Sequence, residues 1–200
     1  MSLVSDLRSM SRSRFQLLAV ILAIVAAFAG ATSEPAHAAP ASNQTVLTLD
    51  PAIPLALGVA KVQLRTIGAA RAGSAGIYLP VTRSSANSSF AGTTRHQGGF
   101  ELVVGKQLRF GLRNPQVVMR SNGEGSLTAE PVIQGIPITL PLPLGRVTLA
   151  SVSNRSGFTT ATYRLRVEQA LAALVNGAVG MNVLPAGQPW ATLQTRVPQR

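Results

Sequence analysis

The sequence predicts an all-β fold: an antiparallel β-sandwich of immunoglobulin-like type with one or two short helices. Three observations predict it. Short stretches of strictly alternating apolar and polar residues recur from residue 45 onward. Turn signals such as Gly98-Gly99, Asn114-Pro115 and Asn122-Gly123 separate them, at the spacing of about 8–12 residues typical of sandwiches and barrels. Only two segments, one after Leu49 and one after Val167, leave the two-residue period for helical spacing.

The elements follow in order. Thr45 to Leu49 reads as a strand. Asp50-Pro51 then opens a short helix over Ala52 to Leu57, with Asp as cap, Pro at the first helical position and Gly58 as the stop. In Val59 to Ile67, Val62, Leu64 and Thr66 share one face, and Lys61, Gln63 and Arg65 the other. Ile77 to Val81 is a short strand, Thr82 to Gly92 a polar loop, and Thr94 to Gln97 another strand. Phe100 to Val104 and Gln107 to Arg113 form a hairpin, with Leu108, Phe110 and Leu112 on one face. Asn114-Pro115 predicts a turn before a further strand, Gln116 to Arg120. Asn122-Gly123 predicts a hairpin turn into Ser126 to Glu130. Pro137, Pro141 and Pro143 interrupt Ile136 to Leu144. This segment should cover a sheet edge and bury its Ile and Leu, because proline cannot donate to a ladder. Arg146 to Val152 and Thr159 to Val167 alternate again. In the second, Ala161, Tyr163, Leu165 and Val167 face one way, and Arg164 and Arg166 the other. Glu168 to Val175 is a helix capped by Asn176-Gly177. Trp190 to Val197 closes the domain.

Residues 1–38 have the order of a bacterial secretory signal peptide, read here as a helix preceding the domain. A basic start (Arg8, Arg12, Arg14) meets an apolar stretch from Phe15 to Ala31, then the small-x-small site Ala36-His37-Ala38. The expected organisation is a signal peptide over 1–38, a flexible lead-in over 39–44 and one domain over 45–198. The expected location is outside the cytoplasm, secreted or associated with the cell wall through Sec-type export. No transmembrane span is expected after cleavage. Cysteine is absent, so stability must come from a core and not from disulfides.

The chain carries a formal net charge of +11, and nearly all of it lies beyond residue 38. Arginine greatly outnumbers lysine there, and Ala, Gly and Pro are abundant, which suggests a high-GC, actinobacterial source. Outside a cell, a basic surface meets anionic wall polymer or anionic lipid, and nucleic acid is not expected. Arg109, Arg113 and Arg120, with Arg164 and Arg166, are the candidate polyanion-binding residues. The first reading is therefore a non-catalytic, exported envelope or extracellular binding protein.

Catalytic constellations are scarce. Beyond residue 38 there is one His (His96), one Asp (Asp50) and four Glu (Glu101, Glu124, Glu130, Glu168). Asp50 is accounted for as a helix cap, which leaves no Ser-His-Asp set. A structural zinc site lacks its ligands. A secreted hydrolase is disfavoured and no metal is expected. His96 has two readings, a histidine at a strand end or an axial ligand to haem iron.

The stretch Gly92-Thr93-Thr94-Arg95-His96-Gln97-Gly98-Gly99-Phe100, with Asn114-Pro115 and Leu127-Thr128-Ala129, resembles the secreted actinobacterial Htaa-type domain. Tyr78-Leu79-Pro80-Val81 and the portion from Tyr163 to Thr195 are similar to later parts of the same family. The resemblance implies an Htaa-like β fold and a haem-binding or haem-transport role. Haem binding in Htaa domains uses a Tyr and a His, and His96 stands at the His position. The family's early Trp/Phe-Arg-Tyr segment has no counterpart here. Tyr78 and Tyr163 are the only tyrosines and so complete the candidate haem set. If His96 binds iron, a Soret band should form with haemin and vanish in His96→Ala.

Overall fold

The computed structural model describes residues 43–87, 89–105, 108–134 and 136–199, with backbone only for residues 108 and 109. They belong to one compact unit, Ala38–Arg200. The signal peptide, and all of the lead-in before residue 43, lie outside the described residues.

The elements are β1 (Gln44–Leu49), α1 (Ala52–Val59), β2 (Val62–Ile67), β3 (Arg71–Gly73), β4 (Gly76–Ser84), β5 (Gly92–His96), β6 (Gly99–Val104), β7 (Leu108–Met119), β8 (Glu124–Ile133), β9 (Ile136–Pro137), β10 (Leu142–Arg155), β11 (Phe158–Val167), α2 (Gln169–Val179) and β12 (Pro189–Pro198). Every pairing is antiparallel. Strand β1 pairs with β4 and β12, β4 with β5, β5 with β7, β7 with β8, β8 with β10, β10 with β11 and β11 with β12. That path returns to its start, so eight strands close a barrel. The all-β, antiparallel expectation holds, and the expected sandwich is corrected to a barrel.

The physical reason lies in β7. The predicted turn at Asn114-Pro115 is a bulge inside one continuous strand: Asn114 has φ 49°, and the register against β8 shifts between Arg113 and Gln116. The first half of β7 pairs with β6 and the second half with β5. Further irregularities fall in β4 and β10. Bulges sharpen the local bend and twist, which lets a sheet curl until its edges meet. Strands β6 and β2 extend from β7 as a flap, β3 pairs with β4, and β9 pairs with β8.

Alternation set the faces as read. Ala161, Tyr163, Leu165 and Val167 are buried between exposed Arg164 and Arg166. Leu47, Leu79, Leu127, Val147 and Leu193 join them in the core. At the start of α1, Asp50 Oδ1 accepts from the Ala52 N–H at 3.0 Å. Pro51 itself holds the cap position. Helix α2 runs a turn past the expected Asn176-Gly177 stop, to a left-handed Gly180. The Asn176 side chain is used differently: its Oδ1 accepts from the Val183 and Leu184 N–H groups, both at 2.9 Å. This pins the loop that follows the helix.

The start of the proline-rich segment is an edge, as expected; Leu144 is buried and Leu142 packs on the core, but Ile136, Ile138 and Leu140 are left exposed. Ile136 and Leu140 are 68% and 69% exposed. Strand β9 has only two residues; one more bond follows, from the Ile138 N–H to the Pro131 carbonyl, and the prolines beyond have no N–H with which to extend the pairing.

Candidate functional site

His96 ends β5 and points into the barrel, 4% exposed. Its Nδ1 lies 2.8 Å from the Pro115 carbonyl oxygen, and its Nε2 lies 2.7 Å from Thr45 Oγ1. A carbonyl only accepts, so Nδ1 carries the proton and donates. In the neutral ring Nε2 is then the acceptor, and the Thr45 hydroxyl donates to it. Thr45 Oγ1 is also 2.8 Å from Thr195 Oγ1. With Thr45's hydrogen committed to His96, Thr195 donates to Thr45. Both threonines are fully buried. Burial lowers the His96 pKa to about 4, and the Pro115 hydrogen bond offsets this only in part. The ring is neutral at pH 7.

The backbone that follows positions this ring. Gly98 has φ 82°, which favours glycine. A Cβ on Gly99 would overlap the Leu112 carbonyl oxygen. The Gly98-Gly99 pair therefore lets the chain pass from the barrel strand β5 into the flap strand β6 without moving His96.

The two tyrosines stand apart from this network. Tyr163 faces inward, packed edge-to-face on Phe90 with ring centroids 6.2 Å apart, and burial raises its pKa. Tyr78 alternates with buried Ile77 and Leu79, so it lies on the other face of β4, with its ring over Gly73. Neither is a hydrogen-bond partner of His96, whose two nitrogens are held by Thr45 and Pro115. Asp50 is likewise committed, to the start of α1. Among the described residues no group of three or more His, Asp or Glu side chains is placed to hold a metal ion.

Haem is the cofactor that the sequence resemblance implies, and His96 does not fit it as an iron ligand in this arrangement. Both ring nitrogens are engaged, and the cavity beside the ring is only about 10 Å³. A second feature fits an apolar ligand better. Under the helices lies a cavity of about 30 Å³, bordered by Ile53 and Leu57 of α1, Leu171 and Val175 of α2, Phe100 and Trp190. Trp190 is 3% exposed, and its Nε1 is, among the described residues, the one buried side-chain polar atom without a partner. Above the cavity, α1 is apolar on both faces, with Leu55 47% and Val59 63% exposed. A helix apolar all round is normally buried. Sequence reasoning placed Trp190 at the start of the closing strand, and no sequence signal marked its indole as unpaired.

The five candidate arginines are not brought together. Arg164 and Arg166 lie side by side on the outer face of β11. Arg120 sits at the β7–β8 turn, and Arg113 lies opposite Glu130 on β7 and β8. The backbone at Arg109 pairs with β6, on the flap. Arg146, which lies opposite Arg166, was not singled out in the sequence.

No family model matches this sequence, and no curated protein matches it. Solved structures do match by shape. The C-terminal domain of HtaA from Corynebacterium glutamicum superposes with a TM-score of 0.60 at 9% identity, covering 78% of this chain and 97% of that domain. The N-terminal domain of HtaA from the same organism gives 0.55 at 14% identity, covering 77% of this chain and 97% of that domain. The barrel with its two helices is thus an Htaa-like domain in fold.

Proposed function

We propose that this chain is a non-catalytic, exported haem-binding protein, which holds the porphyrin by its apolar faces against helix α1. The observation that carries the reading is the combination at that helix. An all-apolar helix is left half exposed over an unfilled apolar cavity, and that cavity is lined by Trp190, whose Nε1 is the one unpaired buried side-chain donor among the described residues. Bound haem would supply a large apolar surface and acceptor groups at its edge. Leu55, Val59, Ile53 and Leu57 would meet the first, and Trp190 the second. The resemblance around His96 supports the same ligand class. In this reading His96 is a positioning residue in the barrel core and not an iron ligand.

The test is a haemin titration of residues 39–200, followed by Soret absorbance and by the fluorescence of Trp190, the single tryptophan. The expected result is saturable one-to-one binding with quenching. Binding should weaken in Leu55→Asp/Val59→Asp, two exposed positions on α1. Absence of saturable binding overturns the haem reading. A Soret band lost in His96→Gln but kept in the helix variant would move the site into the barrel.

A further inference from the structure

The register of β10, β11 and β12 places arginines in a row on the outside of the barrel. Arg146 lies directly opposite Arg166, and Arg164 lies between Thr148 and Thr192. All three alternate with buried Val147, Leu165 and Val167. Like charges opposite one another across an antiparallel pair are unfavourable, so this arrangement is not one that folding alone favours.

Its internal compensation is slight. Arg146 Nε meets Glu168 Oε1 at 3.3 Å, with the arginine side chain 82% exposed. Arg166 Nη1 donates to the Gly187 carbonyl at 3.1 Å. The row is flanked by two surface grooves. One, of about 410 Å³, is lined by Arg120, Ser126, Arg146 and Thr148, with Glu124 as its acid. The other, of about 450 Å³, is lined by Arg164, Arg166, Thr48 and Thr192, with Asp50 as its acid. Asp50 is already committed to the Ala52 N–H.

We infer that Arg146, Arg164 and Arg166, with Arg120 across the groove, form a binding face for a linear polyanion carrying phosphate-type charges. The guanidinium fork matches phosphate oxygens two at a time. The hydroxyls of Ser126, Thr148 and Thr192 add donors along the grooves. From β12 to β8 the face crosses four strands, roughly 15 Å at the usual strand spacing, enough to engage successive charges of one chain. The residues named carry no large exposed apolar side chain, so the face suits a soluble polymer better than a bilayer. It is independent of the haem site.

The test is titration of residues 39–200 with long-chain inorganic polyphosphate at several salt concentrations. Binding should weaken as salt rises, because counterions are released on contact. The double variant Arg164→Gln/Arg166→Gln should lose about tenfold in affinity and reduce the salt slope by about two. Arg164→Gln alone is the milder companion, should the double variant melt early. Arg65→Gln/Arg71→Gln removes an equal charge from exposed positions on β2 and β3, whose cross-strand partners are Glu101 and Tyr78, and should leave affinity within about twofold. Equal losses in the two double variants would reduce the effect to net charge and overturn the assignment. So would no binding to polyphosphate, or binding only to phosphatidylglycerol vesicles. Haemin titration should be unchanged in Arg164→Gln/Arg166→Gln, which separates this face from the haem reading.

Discussion

His96 and Trp190 border the same small interior space, yet the fold treats them in opposite ways. His96 gives both ring nitrogens to the protein, one to Pro115 and one to Thr45. Trp190 buries its indole and leaves the N–H without a partner. An unpaired buried donor costs about 1–3 kcal/mol, whereas a satisfied network fixes a unique core. The barrel half is therefore built to stay as it is. The helical half keeps a cavity and an exposed apolar α1, the features on which the proposed haem reading rests.

The largest test breaks the junction between the two halves. Gly99→Ala sets a Cβ against the Leu112 carbonyl oxygen and should destabilise the fold by about 4 kcal/mol. Urea unfolding measures it, and a change under about 1 kcal/mol would show that the junction yields easily.

The next test addresses the satisfied half. His96→Gln should cost about 3 kcal/mol at pH 7, because Thr45 and Pro115 lose their partner. The pH dependence has a definite sign. The unfolded ring takes up a proton near its ordinary value of 6.5, while the folded ring resists until about 4. Acid therefore favours the unfolded state. Stability is fully present above about pH 6.5, falls as pH drops below it, and about 3 kcal/mol is gone once the pH passes 4. Unfolding free energies at pH 7 and pH 4, compared with His96→Gln, isolate this share. An unchanged pH slope in the variant would assign it to other groups.

The smallest effect should come from the unsatisfied half. Trp190→Phe removes an unpaired donor, a gain of about 1–3 kcal/mol, and shrinks a buried side chain, a cost of similar size, so stability should change by less than about 1 kcal/mol. Haemin affinity should nevertheless fall severalfold. A large loss of stability with unchanged haemin affinity would reverse the comparison, making Trp190 structural and the cavity idle.

Much of this was legible in the residues themselves. Period-two alternation assigned the inward face of β11 and the outward arginines, because side chains on a strand alternate whatever sheet they enter. Asn122-Gly123 gave the hairpin turn, and Asp50 gave its carboxylate to the start of α1. Gly180, not Asn176-Gly177, ends α2, because Asn176 serves the loop after the helix instead of stopping it. The exposed Ile136 and Leu140 escaped the reading because prolines limit pairing without saying what lies beneath.

The sequence by itself determined an antiparallel all-β chain with two short helices, since strand alternation, turn residues and helical spacing are local properties of the chain. Only the tertiary structure decided that the sheet closes into a barrel, because closure depends on bulges and on β1 pairing with β12 at the opposite end of the domain, far from any local signal. It also decided that His96 is spent on Thr45 and Pro115, that Trp190 is not spent at all, and that Arg146 joins Arg164 and Arg166. Hydrogen-bond satisfaction and cross-strand register depend on residues distant in sequence, and only the folded chain brings those together.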